Sequence, residues 1–371
     1  MKKFVSKITQ PTVTFSLAIP YFVMLIIFYL TTHNNFFILI RGGDNQNYVA
    51  IAQTIAEGFT QASSPYSFRL DSYFLGYPIL LVPFYYFVGN LRPNPFILLP
   101  ILNIIIGFLN CLVIDKIFGK KVAFFSIFFS LALIQRTFLG GAEPFFMLTG
   151  LLSIYFYNRN IYLSIFFAGL SFWVRSFGIF FILGVLFTLG LKKDVFLRFI
   201  YCLLLAMTML GIYWLISGWF YGYGTYPGKG YNSVWDNLSP FGVPFYHLIQ
   251  ELYNEKRILS MCKNTAYLAL SLFPFYHIVK KLFKEKSISN IEIFDWIYMP
   301  YLFFIYQLNS FWGYVEFVRY TCPVIPIALF HFKAYLPESK LLSYIFLILA
   351  TFFAAQGIQG NLVDITWSKL I

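Results

Sequence analysis

Apolar runs follow one another along almost the whole chain, near residues 12–32, 73–90, 94–114, 122–140, 143–158, 161–190, 196–220, 262–282, 292–310, 319–336 and 341–358. A hydrocarbon core takes about 20 consecutive apolar residues to span. The succession therefore reads as an all-α fold, a polytopic transmembrane helical bundle of about 9–11 helices forming a single domain over residues 1–371. Composition agrees, since 59% of the residues are hydrophobic and only 11% are charged, against roughly 25% charged in a soluble domain. Aromatic residues reach 22%, more than two interfacial belts require, so many are expected inside the bundle.

The first run follows Met1, Lys2 and Lys3, is long enough to span, and is closed by no small-residue cleavage pattern, so it is expected to be a retained helix. The net charge of +12 comes from Lys and Arg clustered in short groups between apolar runs, which fits the positive-inside rule and not a nucleic-acid partner. Lys2, Lys3 and Lys7, then Lys192, Lys193 and Arg198, then Lys280, Lys281, Lys284 and Lys286 mark the cytoplasmic side. The two long hydrophilic stretches, 41–72 and 221–260, are thereby expected as extracytoplasmic loops of a multi-pass protein of the cell inner (plasma) membrane. Lys116, Lys120 and Lys121 also ask for the cytoplasm, yet counting from the first helix puts them outside. One segment between 73 and 145 is therefore expected not to span.

The first loop opens with "RGGDNQNYVAIAQTIAEGF", residues 41–59. Tyr48, Ile51, Ala52, Ile55 and Phe59 recur at helical spacing and leave Asn47, Gln53, Thr54 and Glu57 to the other side, which predicts an amphipathic helix along the membrane. Asp44 stands at its N-cap position and Gly58 at its stop. Asp44 reads either as a cap or as a general base for an acceptor hydroxyl. Arg69 and Asp71 follow where the chain returns to the membrane, Arg69 as a lipid-phosphate ligand or a snorkelling anchor. Glu143, Arg175 and Arg319 lie in or near apolar runs, where a charge costs at least about 2.5–3.5 kcal/mol on insertion scales. Such residues mark function or structural ion pairs.

Other chemistry is not indicated. Cys111, Cys202, Cys262 and Cys322 lie far apart, which suggests neither a disulfide framework nor a zinc site. His33, His247, His277 and His331 are isolated in sequence and are expected to make hydrogen bonds near helix ends. No metalloprotease, Walker, nucleophile-elbow or dinucleotide motif occurs, and "GYGTYPGKG", with Lys229, reads as an external turn or part of a site.

Several stretches together resemble a known family. "DxxxYxxIA", here Asp44, Tyr48, Ile51 and Ala52, followed by the return "GYPILLVP", resembles the start of the multi-spanning glycosyltransferases of the GT-C fold. "AEPFFMLTGLLSIYFYNRNIYLSIFFAGLSFWVRSFGIFFILG" is similar to the stretch of bacterial members and phosphatidylinositol-glycan mannosyltransferases in which a Glu-Pro or Glu-small step opens one helix and a Thr/Val-Arg step ends the next. "RYTCPVIP", with Arg319 and Tyr320, resembles their C-terminal Arg-Tyr…Pro signature. The resemblance covers roughly residues 10–190 and 310–335.

It implies transfer of a sugar, with inversion, from a polyprenyl-phosphate donor to a glycan, lipid or protein acceptor at the extracytoplasmic face. Asp44 would be the base, Arg69, Arg175 and Arg319 the donor-phosphate ligands, and Tyr48, Glu143, Lys229 and Tyr320 further contacts to donor or acceptor. Many members carry a second acidic residue beside the first, whereas Asn45 follows Asp44 here. Metal use and donor class stay open on that account, with no cofactor certain and no divalent metal indicated. The alternatives are a multi-spanning polysaccharide polymerase or ligase, and a lipid-linked sugar transporter, which would place ionisable residues near helix midpoints and relate two halves by a repeat.

Overall fold

The computed structural model describes residues 44–66, 73–89, 98–129, 141–192, 195–223, 272–281, 291–307 and 320–336, with isolated positions between them. Among the described residues every regular element is helical: α1 (Asp44–Ala56), α2 (Gly76–Gly89), α3 (Leu98–Phe118), α4 (Lys120–Phe129), α5 (Glu143–Tyr157), α6 (Ile161–Val174), α7 (Ile179–Gly190), α8 (Phe196–Tyr221), α9 (Ile293–Gln307) and α10 (Ile325–His331). Residues 272–281 are helical as well. The run at 12–32, the loop 224–260 and nearly all of the run at 341–358 lie outside the described residues.

Local signals set most boundaries. Asn160 caps α6, its side-chain oxygen accepting from the N–H groups of Tyr162 and Leu163 at 3.1 and 3.2 Å. The cap closes a tight reversal, so α5 and α6 form an antiparallel pair, fastened where the buried Ser164 hydroxyl donates to the Ser153 carbonyl at 2.7 Å. At the end of α1, Gly58 adopts a φ of 76°. The Phe59 N–H reaches back to the Thr54 carbonyl at 2.9 Å and the Gly58 N–H to that of Ile55 at 3.1 Å, which is a Schellman stop.

The run at 161–190 is two helices, not one. α6 ends at Val174, Arg175 is extended (φ −155°, ψ 145°), and a 3-10 turn over Ser176–Gly178 leads into α7. Phe181 then meets Phe146 of α5 at 5.9 Å, and Lys192 lies over Tyr157 at the far end of α5 at 5.1 Å. α7 therefore runs in the same direction as α5 and opposite to α6. Hydropathy conceals the reversal because no Pro and only one charge interrupt the run. Gly178 makes it possible, since a Cβ there would stand 2.1 Å from the Phe172 nitrogen.

The helices share two distinct ends. At one, the Lys333 ammonium donates to the Phe118 carbonyl at 3.2 Å, Phe118 meets Phe294 at 5.4 Å, and Phe187 meets Trp296 at 4.5 Å. Lys116, Lys120, Lys121, Lys192, Lys280 and Lys333 gather at or near this basic end. Glu143 and Arg175 stand at the other, separated from it by the length of α5, about 21 Å at 1.5 Å per residue.

The same geometry accounts for the conflict over Lys116, Lys120 and Lys121. α2 begins at Gly76, against the Trp173 backbone. Near the start of α3, Asn103 accepts from the Tyr77 hydroxyl at 3.0 Å. Both helices thus begin at the end that carries Glu143, and α3 then runs from that end to the basic one.

Packing bears out the buried side of α1 at Tyr48, Ile51 and Ala52 and corrects the reading at three positions. Asn47 and Thr54, expected on the polar side, are buried at 7% and 0% exposure, whereas Phe59, expected on the apolar side, is 37% exposed. Burial is tolerated because both polar groups are bonded. Asn47 Nδ2 donates to the Tyr73 hydroxyl at 2.9 Å, and Thr54 Oγ1 donates to the Ala50 carbonyl and meets Ser64 Oγ, each at 2.7 Å.

Large aromatic side chains fill the interior, with Tyr77, Tyr298, Tyr301, Phe146, Phe181 and Phe220 fully buried. The outward faces are also apolar: on α8, Leu204, Met207, Trp214 and Leu215 are all more than half exposed. Among the described residues α8 is the helix long and apolar enough to cross a membrane unaided.

In sealed membrane vesicles, cysteines replacing Lys121 and Lys192 are expected to react with an impermeant maleimide from the same side. Opposite accessibility would contradict the shared basic end.

Candidate functional site

Glu143 is the first residue of α5, where a carboxylate is favoured by the unpaired N–H groups and the positive end of the helix dipole. Its side chain is 2% exposed, and Oε1 lies 3.2 Å from Nη2 of Arg175, which is 18% exposed. The partner arrives from the tip between α6 and α7. There the Arg175 N–H still donates to the Ser171 carbonyl at 3.0 Å, while the Arg175 carbonyl accepts from the Gly178 N–H at 2.9 Å. The α2 backbone presses on this tip, since a Cβ at Gly76 would stand 2.6 Å from the Trp173 carbonyl carbon. Backbone on both sides therefore fixes where Arg175 starts, and the buried carboxylate fixes where its head goes.

Aromatic residues enclose the cation. The guanidinium carbon lies 5.5 Å from the centre of the Tyr320 ring, within cation–π range. Phe177 meets both Tyr301, at 5.2 Å, and Tyr320, at 5.9 Å, and the Tyr301 hydroxyl donates to the Tyr320 carbonyl at 2.8 Å. Residues from the tip after α6, from α9 and from the segment before α10 thus meet around one charge. A guanidinium has five N–H donors in a planar fork, which suits a second, oxygen-rich anion as well as Glu143.

α1 begins beside the same end of the bundle. Tyr48, one turn after Asp44, is buried at 4% and sets its ring edge-on to Tyr73 and Tyr77, at 5.0 and 5.1 Å. Tyr77 lies within electrostatic range of Glu143 and 6.5 Å from the Phe145 ring. The Tyr221 hydroxyl, from the last residue of α8, donates to the Tyr73 carbonyl at 2.5 Å and ties the first loop to the bundle. A layer of tyrosines therefore lies between the helix that carries Asp44 and the ion pair.

Of the residues singled out from sequence, the structure joins Glu143, Arg175 and Tyr320, and it seats Tyr48 in the adjoining tyrosine layer. Asp44 is placed as the first residue of α1 by its backbone. Arg69, Asp71, Lys229 and Arg319 lie outside the described residues, although Tyr320 next to Arg319 is within them. Tyr73, Tyr77, Asn103, Phe177 and Tyr301 were not foreseen. Their signal is tertiary, and as single aromatics in apolar runs they are indistinguishable from core residues.

His331, the last residue of α10, makes the hydrogen bond expected near a helix end, whereas His33 and His247 lie outside the described residues. His331 Nε2 lies 2.8 Å from Asp295 Oδ1, and His277 faces the His331 ring at 6.2 Å, all at the basic end. Cys111, Cys202 and Cys322 are buried, and Cys262 lies outside the described residues. Among the described residues no three His, Cys, Asp or Glu side chains gather as a metal would require.

Removing one member of a buried ion pair costs about 3–5 kcal/mol, because the other charge is stranded, whereas replacing both by apolar groups is often neutral. Arg175→Met is therefore expected to lower stability by about that amount, and Glu143→Leu added to it to restore most of the loss, read from unfolding midpoints in detergent by circular dichroism. A double variant less stable than Arg175→Met would contradict the pairing. In comparisons with known proteins, the chain matches no protein-family model, no curated protein and no solved structure.

Proposed function

We propose that this chain is a polytopic integral membrane glycosyltransferase of GT-C type, acting from a polyprenyl-phosphate sugar at the extracytoplasmic face of the plasma membrane. The observation that carries the reading is the pairing of Arg175 with Glu143 at the end of the bundle opposite the lysines, beside the start of α1.

Membrane residence is supported by the apolar outward faces. A soluble monomer rarely exposes contiguous apolar patches larger than a few hundred Å², whereas α8 alone presents Leu204, Met207, Trp214 and Leu215, and Phe283 and Phe303 are exposed elsewhere. The basic end would then face the cytoplasm, and the Arg175 end the outer leaflet. α5 is about 21 Å long and a hydrocarbon core about 30 Å thick, so Arg175 would sit below the outer interface. At that depth a lipid-borne phosphate needs a cation to meet it, because low dielectric strengthens attraction and penalises an isolated anion.

The reaction assigned to this site balances simply. The acceptor hydroxyl oxygen forms a bond to the anomeric carbon as that carbon's bond to the phosphate oxygen breaks. The electron pair leaves with the polyprenyl phosphate, and the hydroxyl proton passes to Asp44. Arg175, with Arg69 and Arg319, would stabilise the charge gained by the leaving phosphate. Attack from the face opposite the leaving group inverts the anomeric centre. The transporter alternative loses its best residue, because Arg175 stands at the end of α6 and not at a helix midpoint.

Purified protein in lipid, given a panel of polyprenyl-phosphate sugars and membrane extract as acceptor, is expected to transfer sugar. A folded Asp44→Asn variant is expected to lose that transfer by about 100-fold or more. Equal transfer by both would return Asp44 to the role of helix cap, and no transfer from any donor would overturn the reading in favour of the polymerase or transporter.

A further inference from the structure

At the far end of α1, Glu57 is exposed and one oxygen of its carboxylate receives two phenols. Tyr66 and Tyr85 both donate to Oε1, the latter at 2.7 Å. The Tyr66 phenol is pushed well above its usual pKa, by that bond first and by burial second, so it remains a donor across the neutral range. Tyr86 donates to the Ala56 carbonyl and keeps 59% of its surface exposed, with its ring edge-on to Tyr85 at 6.0 Å.

The segment that presents Tyr66 is rigidly built. Thr60 and Ser63 form a reciprocal cap around the turn Gln61–Ser63, and Ser64 bridges to Thr54 at 2.7 Å while accepting from the Tyr66 N–H at 3.1 Å. The Phe68 ring stacks on Phe220 near the end of α8, at 6.3 Å, which puts this segment at the Arg175 end of the bundle.

We propose that Glu57, Tyr66, Tyr85 and Tyr86 form a carbohydrate-binding patch. The two phenols reach Glu57 from different segments, Tyr66 from the loop and Tyr85 from α2. Here two phenols occupy one oxygen and orient the carboxylate, whose second oxygen has no hydrogen bond among the described residues. An ionised carboxylate accepts from several donors, which matches the vicinal hydroxyls of a sugar. The exposed Tyr86 ring offers a rigid face for its C–H surface at little entropic cost. The hydrogen-bonded loop removes further ordering cost from binding. Glu57 lies about 20 Å along the α1 axis from Asp44, so a chain held at both points is an oligosaccharide of several units. This last step rests on the glycosyl-transfer reading and names its acceptor class.

The test uses the full chain in lipid nanodiscs, titrated calorimetrically with gluco-, manno- and chito-oligosaccharides from disaccharide to hexasaccharide. At least one series is expected to bind more tightly with length. Glu57→Gln and Tyr86→Ala should each weaken it about tenfold, whereas Tyr86→Phe, which keeps the ring, should bind as the native chain does. Absence of binding by every series, or binding indifferent to Glu57→Gln and Tyr86→Ala in folded protein, would overturn the patch. Binding that follows these variants without sugar transfer from any lipid donor would uphold the patch and overturn the transferase reading alone.

Discussion

A carboxylate buried to 2% exposure cannot be kept charged without a cation, and the bundle supplies one by reversing its chain at Arg175. Much of the architecture follows from that requirement. α6 must end where Glu143 begins α5, the turn after it must be tight enough to return α7 alongside α5, and α2 must lie close enough to hold the tip in place. Gly178 and Gly76 stand where backbone approaches backbone too closely for any side chain. Replacing the pair by apolar groups would leave a helix bundle of similar stability, so packing alone does not call for the charge that remains 18% exposed.

That charge belongs to the arginine, and the division of labour is readable from burial. Glu143 lies underneath and acts through Arg175, whereas Arg175 reaches the edge of the enclosed region beside Tyr320. Tyr48, Tyr73 and Tyr77 then separate the pair from the loop above. Such a layer excludes water while offering hydroxyls, the mixture a site needs if it handles a polar headgroup below the level of the membrane surface.

How much of this was legible in the sequence differs by kind of signal. Some helix ends were readable: Gly58 stops α1 by its local chemistry, and the resemblance marked Glu143 with Pro144 as opening α5 and Arg175 as closing α6. Apolar length marked most of the helices. It failed at 161–190, where the reversal is made by a glycine-dependent turn that changes hydropathy hardly at all. Periodicity placed Tyr48, Ile51 and Ala52 of α1 on the buried side but left out Asn47 and Thr54, which find partners on residues distant or local and can be buried. The pairings Glu143 with Arg175 and Asp295 with His331 join different helices, and no spacing rule along one helix announces them. The conflict over Lys116, Lys120 and Lys121 is visible in the sequence, whereas the common starting end of α2 and α3 is a tertiary fact.

The most direct test of the account is a cryo-EM structure of the chain in nanodiscs supplied with a polyprenyl phosphate. The account predicts phosphate density within hydrogen-bonding distance, about 3 Å, of the Arg175 guanidinium, at the end of the bundle away from Lys121, Lys192 and Lys333. Phosphate bound instead among those lysines, with Arg175 engaged only by Glu143, would reduce the pair to a structural brace and contradict the site.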